Sequence, residues 1–398
     1  MIEVHLVEHA PAKVVSLPDG AGRALAVSKI VDAVPDPYEP GLWRLRAGSK
    51  VGAVSLDVPG GEAVRLRITP KIPIGRLLFL LGYSLDPHGW RNEAVDLAGH
   101  DEALPAFAHA VERQTDRALR QGLLQGYRPT EGTALVVRGR FREVEQIRRR
   151  FGAPLPVEIE YDEFTSDIAE NRILRAAVER LLCLPGIPQA VRTRLLRQRA
   201  RLAESTPLVR GQEIPRWQPN RLNARYHHAL DLAVLVLNGA SAEHLPGALR
   251  MNAFLFDMNK VFEDFICVAL REALTAYGGH PTLQARNVSL DEGDAIRMRP
   301  DLVWYGDTGD PLVVADAKYK VGSPQGYPDA DLYQMLAYCT SLGLKHGHLI
   351  YAKGNAPHVG HTVRHSGIVL HQHALDLGQE PSALLKTVSD LAAGMARA

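Results

Sequence analysis

The feature that most constrains this chain is a pair of extended runs on either side of a short turn. Residues 296–305 and 312–320 are rich in apolar and β-branched side chains, and a Gly- and Asp-rich segment, 306–310, separates them. Such a pattern predicts an antiparallel β-hairpin. With the turn centred at the third and fourth residues of that segment, paired positions have numbers that sum to about 617, so that Asp301 lies opposite Asp316. The hairpin therefore brings two carboxylates together.

The charged residues of this hairpin indicate chemistry. Because side chains alternate along a strand, Asp316 and Lys318 share a face, whereas Ala317 points away. Two carboxylates at close range repel unless a positive charge lies between them, and hard oxygen ligands favour Mg²⁺. The pattern predicts a magnesium site built on Asp301 and Asp316. The alternative is a solvated carboxylate near a turn and a lysine that protects a strand edge.

Two predicted helices supply further candidates. The helix over residues 256–276 buries a phenylalanine-rich face and leaves Glu263 at its edge, able to reach the sheet as a third carboxylate. The helix over residues 329–341 carries Gln334 and Tyr338 at positions i and i+4, so they lie one above the other. Neither spacing alone assigns a role.

The candidate residues named above, taken in their order along the chain, resemble those of the PD-(D/E)xK nuclease superfamily in its RecB-like variant. The corresponding positions are Glu263, Pro300-Asp301, Asp316-Ala317-Lys318 and Gln334-x-x-x-Tyr338. More narrowly, the chain resembles the McrC family, the nuclease subunits of McrBC modification-dependent restriction systems. The segments that carry this second resemblance are 68–72, 161–172, 256–265, 316–320 and 331–338. It covers residues 64–355.

The resemblance implies an α/β fold with two parts. A β-rich N-terminal domain precedes a C-terminal PD-(D/E)xK nuclease domain, whose mixed central sheet is flanked by helices. The implied partners are double-stranded DNA that carries modified bases and an AAA+ GTPase of the McrB type, which recognises the methylcytosine. In the family, the N-terminal part docks on this GTPase and stimulates its hydrolysis.

The implied reaction is metal-assisted hydrolysis of a phosphodiester. The residues that would hold Mg²⁺ are Asp301, Asp316, Ala317 through its carbonyl, and Glu263. Lys318 would orient the attacking water or neutralise charge on the phosphate. Gln334 and Tyr338 would steady the site or contact the DNA backbone.

Short extended runs and the positions of prolines predict the domains of the chain. The 398 residues, of which 46% are hydrophobic, can form two or three cores. Residues 1–86 contain short extended runs and then a leucine-rich helix after Pro70-Lys71-Ile72-Pro73, and Pro154 and Pro156 precede the next strand. We therefore predict a β-rich domain with helices at residues 1–153, able to fold alone and to dock on the GTPase, and a nuclease domain at 154–398.

Charge and composition exclude several classes of protein. Lys and Arg number 46 against 45 Asp and Glu, so any nucleic-acid surface is local. The arginine-rich segments 138–150 and 190–204 are either solvated faces or phosphate contacts, and charge alone does not decide between them. No apolar run approaches the roughly 18 residues of a membrane span, and no P-loop motif is present.

The cysteines and tail histidines give weaker signals. Three cysteines without CxxC spacing predict buried thiols in a reducing cytoplasm. The tail is rich in histidine, but no cysteine or carboxylate cluster accompanies it, so its pattern does not predict a zinc site. The tail histidines are His358, His361, His365, His371 and His373.

Three functions remain open from the sequence. The first is an McrC-like nuclease subunit of a GTP-driven complex. The second is a stand-alone RecB-like nuclease, for which the N-terminal module would be superfluous. The third is a non-catalytic activator of an AAA+ motor, against which the intact Asp316-x-Lys318 argues.

Overall fold

The computed structural model describes residues 1–87, 103–151, 153–209, 211–245, 249–321, 329–353 and 358–397, which form a mixed α/β structure. Its strands are β1 (Ile2–Val7), β2 (Lys13–Ser16), β3 (Val31–Pro35), β4 (Leu42–Ala47), β5 (Lys50–Asp57), β6 (Val64–Thr69), β7 (Gly126–Ala134), β8 (Arg140–Phe141), β9 (Val157–Thr165), β10 (Ala240–Leu245), β11 (Leu249–Asp257), β12 (His280–Leu283), β13 (Val288–Ser289), β14 (Arg297–Met298), β15 (Leu302–Tyr305), β16 (Pro311–Val321), β17 (His346–Lys353), β18 (His358–Thr362) and β19 (Val369–Ala374). Its helices are α1 (Asp19–Ser28), α2 (Ile74–Leu85), α3 (Ala103–Leu119), α4 (Glu143–Arg150), α5 (Ala169–Leu182), α6 (Gln189–Arg201), α7 (His227–Gly239), α8 (Met258–Thr275), α9 (Asp329–Leu342) and α10 (Pro381–Met395).

The chain divides into two compact units. One unit combines residues 1–106 with residues 242–398, and the other comprises residues 107–241. The boundary predicted between residues 153 and 154 lies inside the second unit, so the chain is not divided there. The N-terminal strands instead belong to the same body as the C-terminal region.

Backbone pairing explains why the N-terminal strands are not a separate domain. A five-stranded sheet has the order β1-β6-β5-β11-β10, and β5 pairs along its length with β11 in antiparallel register. Removal of β11 would leave a row of unpaired N–H and C=O groups on β5. Helix α2 also packs on α8, where the ring of Phe265 meets Phe79 and Tyr83 edge to face. The N-terminal module thus needs the C-terminal segment to complete both its sheet and its core.

The predicted hairpin lies in the middle of a second sheet. This mixed sheet has the order β12-β15-β16-β17-β19-β18, with β16 antiparallel to β15 and parallel to β17. Both faces of β16 are buried from Val313 to Ala317, which accounts for its run of small and β-branched residues. Helices α8 and α9 both contact β16. The mixed sheet flanked by helices matches the expectation from the sequence.

A partly buried ionic network joins several segments of the second unit. Its three-stranded sheet has the order β7-β9-β8, and helices α6 and α7 pack against α5. Asp167, between β9 and α5, accepts hydrogen bonds from Arg128, Arg172 and Thr206. The Arg172 guanidinium, together with the other two donors, holds the pKa of Asp167 well below its usual range despite partial burial. This part of the 161–172 motif is therefore structural.

Helix length and polarity also bear on the membrane question. Within the described ranges, none of the helices combines the length and the apolar character that crossing a bilayer requires.

We expect Gly52→Ala to destabilise the first unit. Gly52 lies on β5 with φ +134°, and an added Cβ would come within 2.0 Å of the Phe254 carbonyl oxygen on β11. Relief of both the strain and the clash requires the strands to separate, so the free energy of unfolding should fall by about 2–4 kcal/mol. Urea unfolding measures the change. Gly48→Ala is the matched control, because nothing lies within 4 Å of its Cβ, and equal stability of the two variants would contradict the expectation.

Candidate functional site

The hairpin places two buried aspartates opposite each other. Its register pairs Leu302 with Ala315 and Val303 with Val314, which confirms the predicted sum of 617. Asp301 directly precedes Leu302 and so lies opposite Asp316 on the next strand. Only 8% of Asp301 and 2% of Asp316 is exposed. Two acidic side chains thus converge where little water reaches them.

Three donors fix the orientation of Asp301. Its Oδ2 accepts the Ala317 N–H at 2.9 Å, and its Oδ1 accepts Gln284 Nε2 at 3.2 Å. Its backbone carbonyl also accepts the Gln284 N–H at 2.9 Å. Because β16 and the residue after β12 both hold this carboxylate, its direction depends on strands on both sides of β15.

Lys318 lies on the same face of β16 as Asp316, as predicted, and its Nζ forms an ion pair with Asp316 Oδ2. About a quarter of the lysine side chain is exposed, whereas the aspartate is almost fully enclosed. The lysine side chain is therefore more accessible to solvent than the carboxylate with which it pairs.

Gln284 joins the third predicted carboxylate to this pair. Its Nε2 donates to Glu263 Oε1 at 2.5 Å as well as to Asp301. Glu263 comes from α8, whose predicted apolar face is buried, and whose start is capped by the Asp257 side chain on the Asn259 N–H. Sequence reasoning missed Gln284, because a glutamine after a short strand has no pattern that distinguishes it. Its φ of +50° is visible only in the folded chain.

The electrostatics of the site reflect its excess of negative charge. Burial, followed by the neighbouring charge of Asp316, raises the pKa of Asp301 to about 8, although the Ala317 N–H and Lys318 act in the opposite direction. Burial also raises the pKa of Asp316, against the opposing effect of Lys318. Burial lowers the pKa of Lys318, but the Asp316 carboxylate outweighs it and the net shift is upward. A further positive charge would therefore be stabilised between the aspartates.

The two helical residues predicted from α9 have different environments. Tyr338 is buried, and its hydroxyl donates to the Arg299 carbonyl at 3.3 Å, just before Pro300-Asp301. Burial and the charges of Asp316 and Asp301 raise the Tyr338 pKa above its usual range. Gln334 is exposed, and among the described residues no hydrogen bond joins it to the carboxylates. The structure thus brings Tyr338 to the site, and the role predicted for Gln334 stays a prediction.

The donor set limits which metal could be held. In the part of the chain that the structure describes, no group of three or more His, Cys, Asp or Glu side chains is arranged to hold a metal ion. The site instead offers two facing carboxylates, an arrangement suited to an ion that retains several waters. The convergence of Asp301 and Asp316, with its raised pKa values, fits a divalent cation of the hard, oxygen-binding class.

The arginine-rich segments carry many ion pairs. Arg142 pairs with Glu131 and Glu145, and Arg149 and Arg150 both pair with the buried Glu158. On α6, Arg192 donates to the Leu182 and Leu184 carbonyls, and Arg194 pairs with Glu112. These arginines serve the packing of the second unit, which favours the structural interpretation for them.

A histidine cluster, not anticipated from the sequence, lies on β17, β18 and β19. Hydrogen bonds of 3.0–3.1 Å join neighbouring rings, and the rings of His348 and His371 stack at 4.8 Å between centroids. Burial and the adjacent histidines lower the pKa of His348, and burial, His358 and His371 lower that of His373 to about 3. The members of this histidine cluster are His346, His348, His358, His371 and His373.

Comparison with models of protein families shows to which family the chain belongs. The model for the McrBC 5-methylcytosine restriction system component matches residues 45–352, more than three quarters of the chain. The chain belongs to the McrBC family. This confirms the resemblance seen in its motifs. Among proteins with curated descriptions, none matches the chain.

Two solved structures are similar to this McrBC family member. One is a chain of a half-complex from a tetradecameric assembly of Thermococcus gammatolerans McrB AAA+ hexamers with bound McrC, with TM-score 0.59 and 18% identity over 98% of this chain and 100% of that chain. The other is a chain of the T. gammatolerans McrBC complex, with TM-score 0.40 and 20% identity over 68% of this chain and 88% of that chain. At 18% identity, the first likeness concerns the fold alone.

We expect the histidine cluster to make stability depend on pH. The pKa of His373 is about 3 in the folded chain and about 6.5 when unfolded, so below pH 6.5 the unfolded state takes up a proton that the native state does not. Stability is therefore retained above pH 6.5 and falls as the pH drops toward 3. At pH 5 the cost of His373 should be about 1–2 kcal/mol.

Thermal melting at pH 7.5 and pH 5.0 tests this dependence. His373→Asn should show a smaller acid-induced drop in Tm than the unmodified chain. His280→Asn, at an exposed position on β12, is the control and should keep the full drop. An unaltered drop in the His373 variant would rule out the cluster as its source.

Proposed function

We propose that this chain is a Mg²⁺-dependent endonuclease subunit with a PD-(D/E)xK centre. In this role it cuts double-stranded DNA together with an AAA+ GTPase partner of the McrB type and stimulates that partner's GTP hydrolysis. The observation that carries the proposal is the convergence of Asp301, Asp316 and Lys318 on one hairpin. Membership of the McrBC family supports the restriction setting, and the AAA+ hexamers of the similar T. gammatolerans assembly support the partner.

The residues present fit a hydrated Mg²⁺ ion. We assign Asp301 and Asp316 as its ligands, and Glu263 and the Ala317 carbonyl as oxygens that accept hydrogen bonds from the waters of its shell. Sites of this ion commonly use one or two carboxylates and complete the shell with water and substrate phosphate. When bound, the ion would polarise the scissile phosphate and acidify a coordinated water.

The chain's own groups prepare this chemistry. The Ala317 N–H and Gln284 hold the Asp301 carboxylate in one direction, so no reorientation is needed when DNA arrives. Tyr338 fixes the preceding turn through the Arg299 carbonyl. The partly exposed Lys318 ammonium lies where it can orient water and neutralise charge that develops on the phosphate.

We propose that an exposed apolar segment of the second unit docks on the GTPase. Six large apolar side chains between residues 135 and 151 are each more than half exposed. Exposed apolar residues concentrated in one short segment are typical of a protein-binding surface. An AAA+ ring is the occupant we assign, because the similar assembly joins such rings to McrC. The segment's exposed residues are Leu135, Val136, Val137, Val144, Ile147 and Phe151.

Asp316→Asn should abolish DNA cleavage, because it removes one charged ligand while preserving side-chain volume at a buried position. A loss of about 4 kcal/mol of transition-state stabilisation corresponds to a rate roughly 10³-fold lower. Plasmid cleavage with the AAA+ partner, GTP and Mg²⁺ provides the measurement. Asp390→Asn, at an exposed position on α10, should cleave normally, and near-normal cleavage by the Asp316 variant would remove the metal-site argument.

Val136→Ser combined with Phe151→Ser should weaken partner binding at least roughly 10-fold without loss of fold, because both side chains are largely exposed. Titration of the GTPase rate of the partner with each variant measures this. Leu222→Ser is the matched control, since Leu222 is 85% exposed in the same unit but outside the segment. Equal stimulation by all variants would exclude this segment as the docking surface.

A further inference from the structure

A buried glutamate at the end of β1 contacts β16, the strand that carries Asp316 and Lys318. Glu8 is fully buried, and its Oε1 accepts the Tyr319 hydroxyl at 2.6 Å and the Lys71 N–H at 2.8 Å. Tyr319 directly follows Lys318 on β16. A hydrogen bond between residues 311 positions apart therefore reaches the neighbour of the site's ammonium.

The backbone pairing of β16 with β17 becomes irregular just after Lys318. The register between β16 and β17 is regular up to Lys318, which pairs with Tyr351, and then shifts before Val321 pairs with Lys353. Such an irregularity disrupts the ladder and redirects side chains, and it is common beside active sites. The ladder is interrupted between Lys318 and Val321, so side-chain contacts contribute more to the direction of the chain there.

Tyr319 supplies these contacts. Its ring lies 6.0 Å from that of Phe262, the neighbour of Glu263, and 6.5 Å from that of His9. Burial, followed by the hydrogen bond to Glu8 and its charge, raises the pKa of Tyr319 above its usual range, so the hydroxyl remains a donor. A hydrogen bond from a neutral hydroxyl to a buried carboxylate is short and strong.

The burial of Glu8 also needs an explanation. A carboxyl group withdrawn from water is costly unless hydrogen bonds replace its hydration. Packing alone would favour an apolar residue at this position, whereas a carboxylate can hold Lys71 and Tyr319 at once.

We propose that Glu8 is a positioning residue for Lys318, which it holds in place through the Tyr319 hydroxyl. The proposal rests on the nuclease function proposed above. A displacement of about 1 Å of a reacting group can cost roughly 100-fold in rate. The hydrogen bond from Tyr319 to Glu8 would restrain the strand at the residue where the ladder stops doing so.

Tyr319→Phe in the full chain, assayed with the AAA+ partner, removes the hydroxyl and keeps the ring. We expect kcat for cleavage to fall roughly 10- to 100-fold, with unchanged DNA and Mg²⁺ affinity. The kcat of Glu8→Ala should fall equally. Glu8→Gln keeps an acceptor oxygen and should therefore retain most of the rate. The double variant Glu8→Ala, Tyr319→Phe should be no slower than Glu8→Ala alone, because Glu8→Ala already removes the hydrogen bond from Tyr319.

A matched control removes a different hydrogen bond near the end of β1. Thr69→Val deletes the bond from Thr69 Oγ1 to the Leu6 carbonyl and should leave the rate unchanged. A normal rate for Tyr319→Phe would overturn the proposal, as would a loss of DNA or Mg²⁺ affinity, which would show a general structural role.

A second measurement does not depend on cleavage. Competitive labelling of lysine amines, read by mass spectrometry, should show Lys318 at least roughly 3-fold more reactive in Tyr319→Phe than in the unmodified chain or Thr69→Val. Equal reactivity would overturn the proposal. Failure of the unmodified chain to cleave would instead count against the nuclease function, and the labelling result would still decide whether Glu8 positions Lys318.

Discussion

The site depends on the repulsion between two buried carboxylates. Asp301 and Asp316 face each other where little water screens them, and the raised pKa of Asp301, about 8, expresses the cost of ionising both. Each neighbouring group compensates part of this cost: a backbone N–H, the Gln284 amide and the Lys318 ammonium. A packed apolar sheet would be more stable without these charges, and their presence is the physical basis of the proposed nuclease site.

Helix α8 explains why distant segments of the chain form one unit. Helix α8 begins directly after β11, which pairs with N-terminal strand β5, and it also contacts β16. One helix therefore joins the sheet of the N-terminal strands to the sheet of the carboxylates, and it carries Glu263 between them. Without β5, the start of α8 would lose its support, and the position of Glu263 would no longer be fixed relative to Asp301.

Local patterns predicted the hairpin, but not its surroundings. The register of β15 and β16 follows from one turn and the alternation of side chains, so Asp301, Asp316 and Lys318 could be placed from the sequence. The pairing of β5 with β11 joins strands about 200 residues apart, and no local signal selects that partner. Gln284 and the histidines of β17 were missed for the same reason, since their partners lie on other strands. The predicted boundary at residues 153/154 relied on prolines, which mark a strand start inside the second unit.

The contacts described for the site and the exposed apolar segment fall in different units. Glu8, Glu263, Gln284 and the hairpin belong to the unit formed by residues 1–106 and 242–398, whereas residues 135–151 belong to the unit formed by 107–241. Among the described residues, the two sets share no hydrogen bond. Effects of changes at sites without shared partners usually add. Changes in the proposed docking segment are therefore expected to leave the geometry of the carboxylates the same.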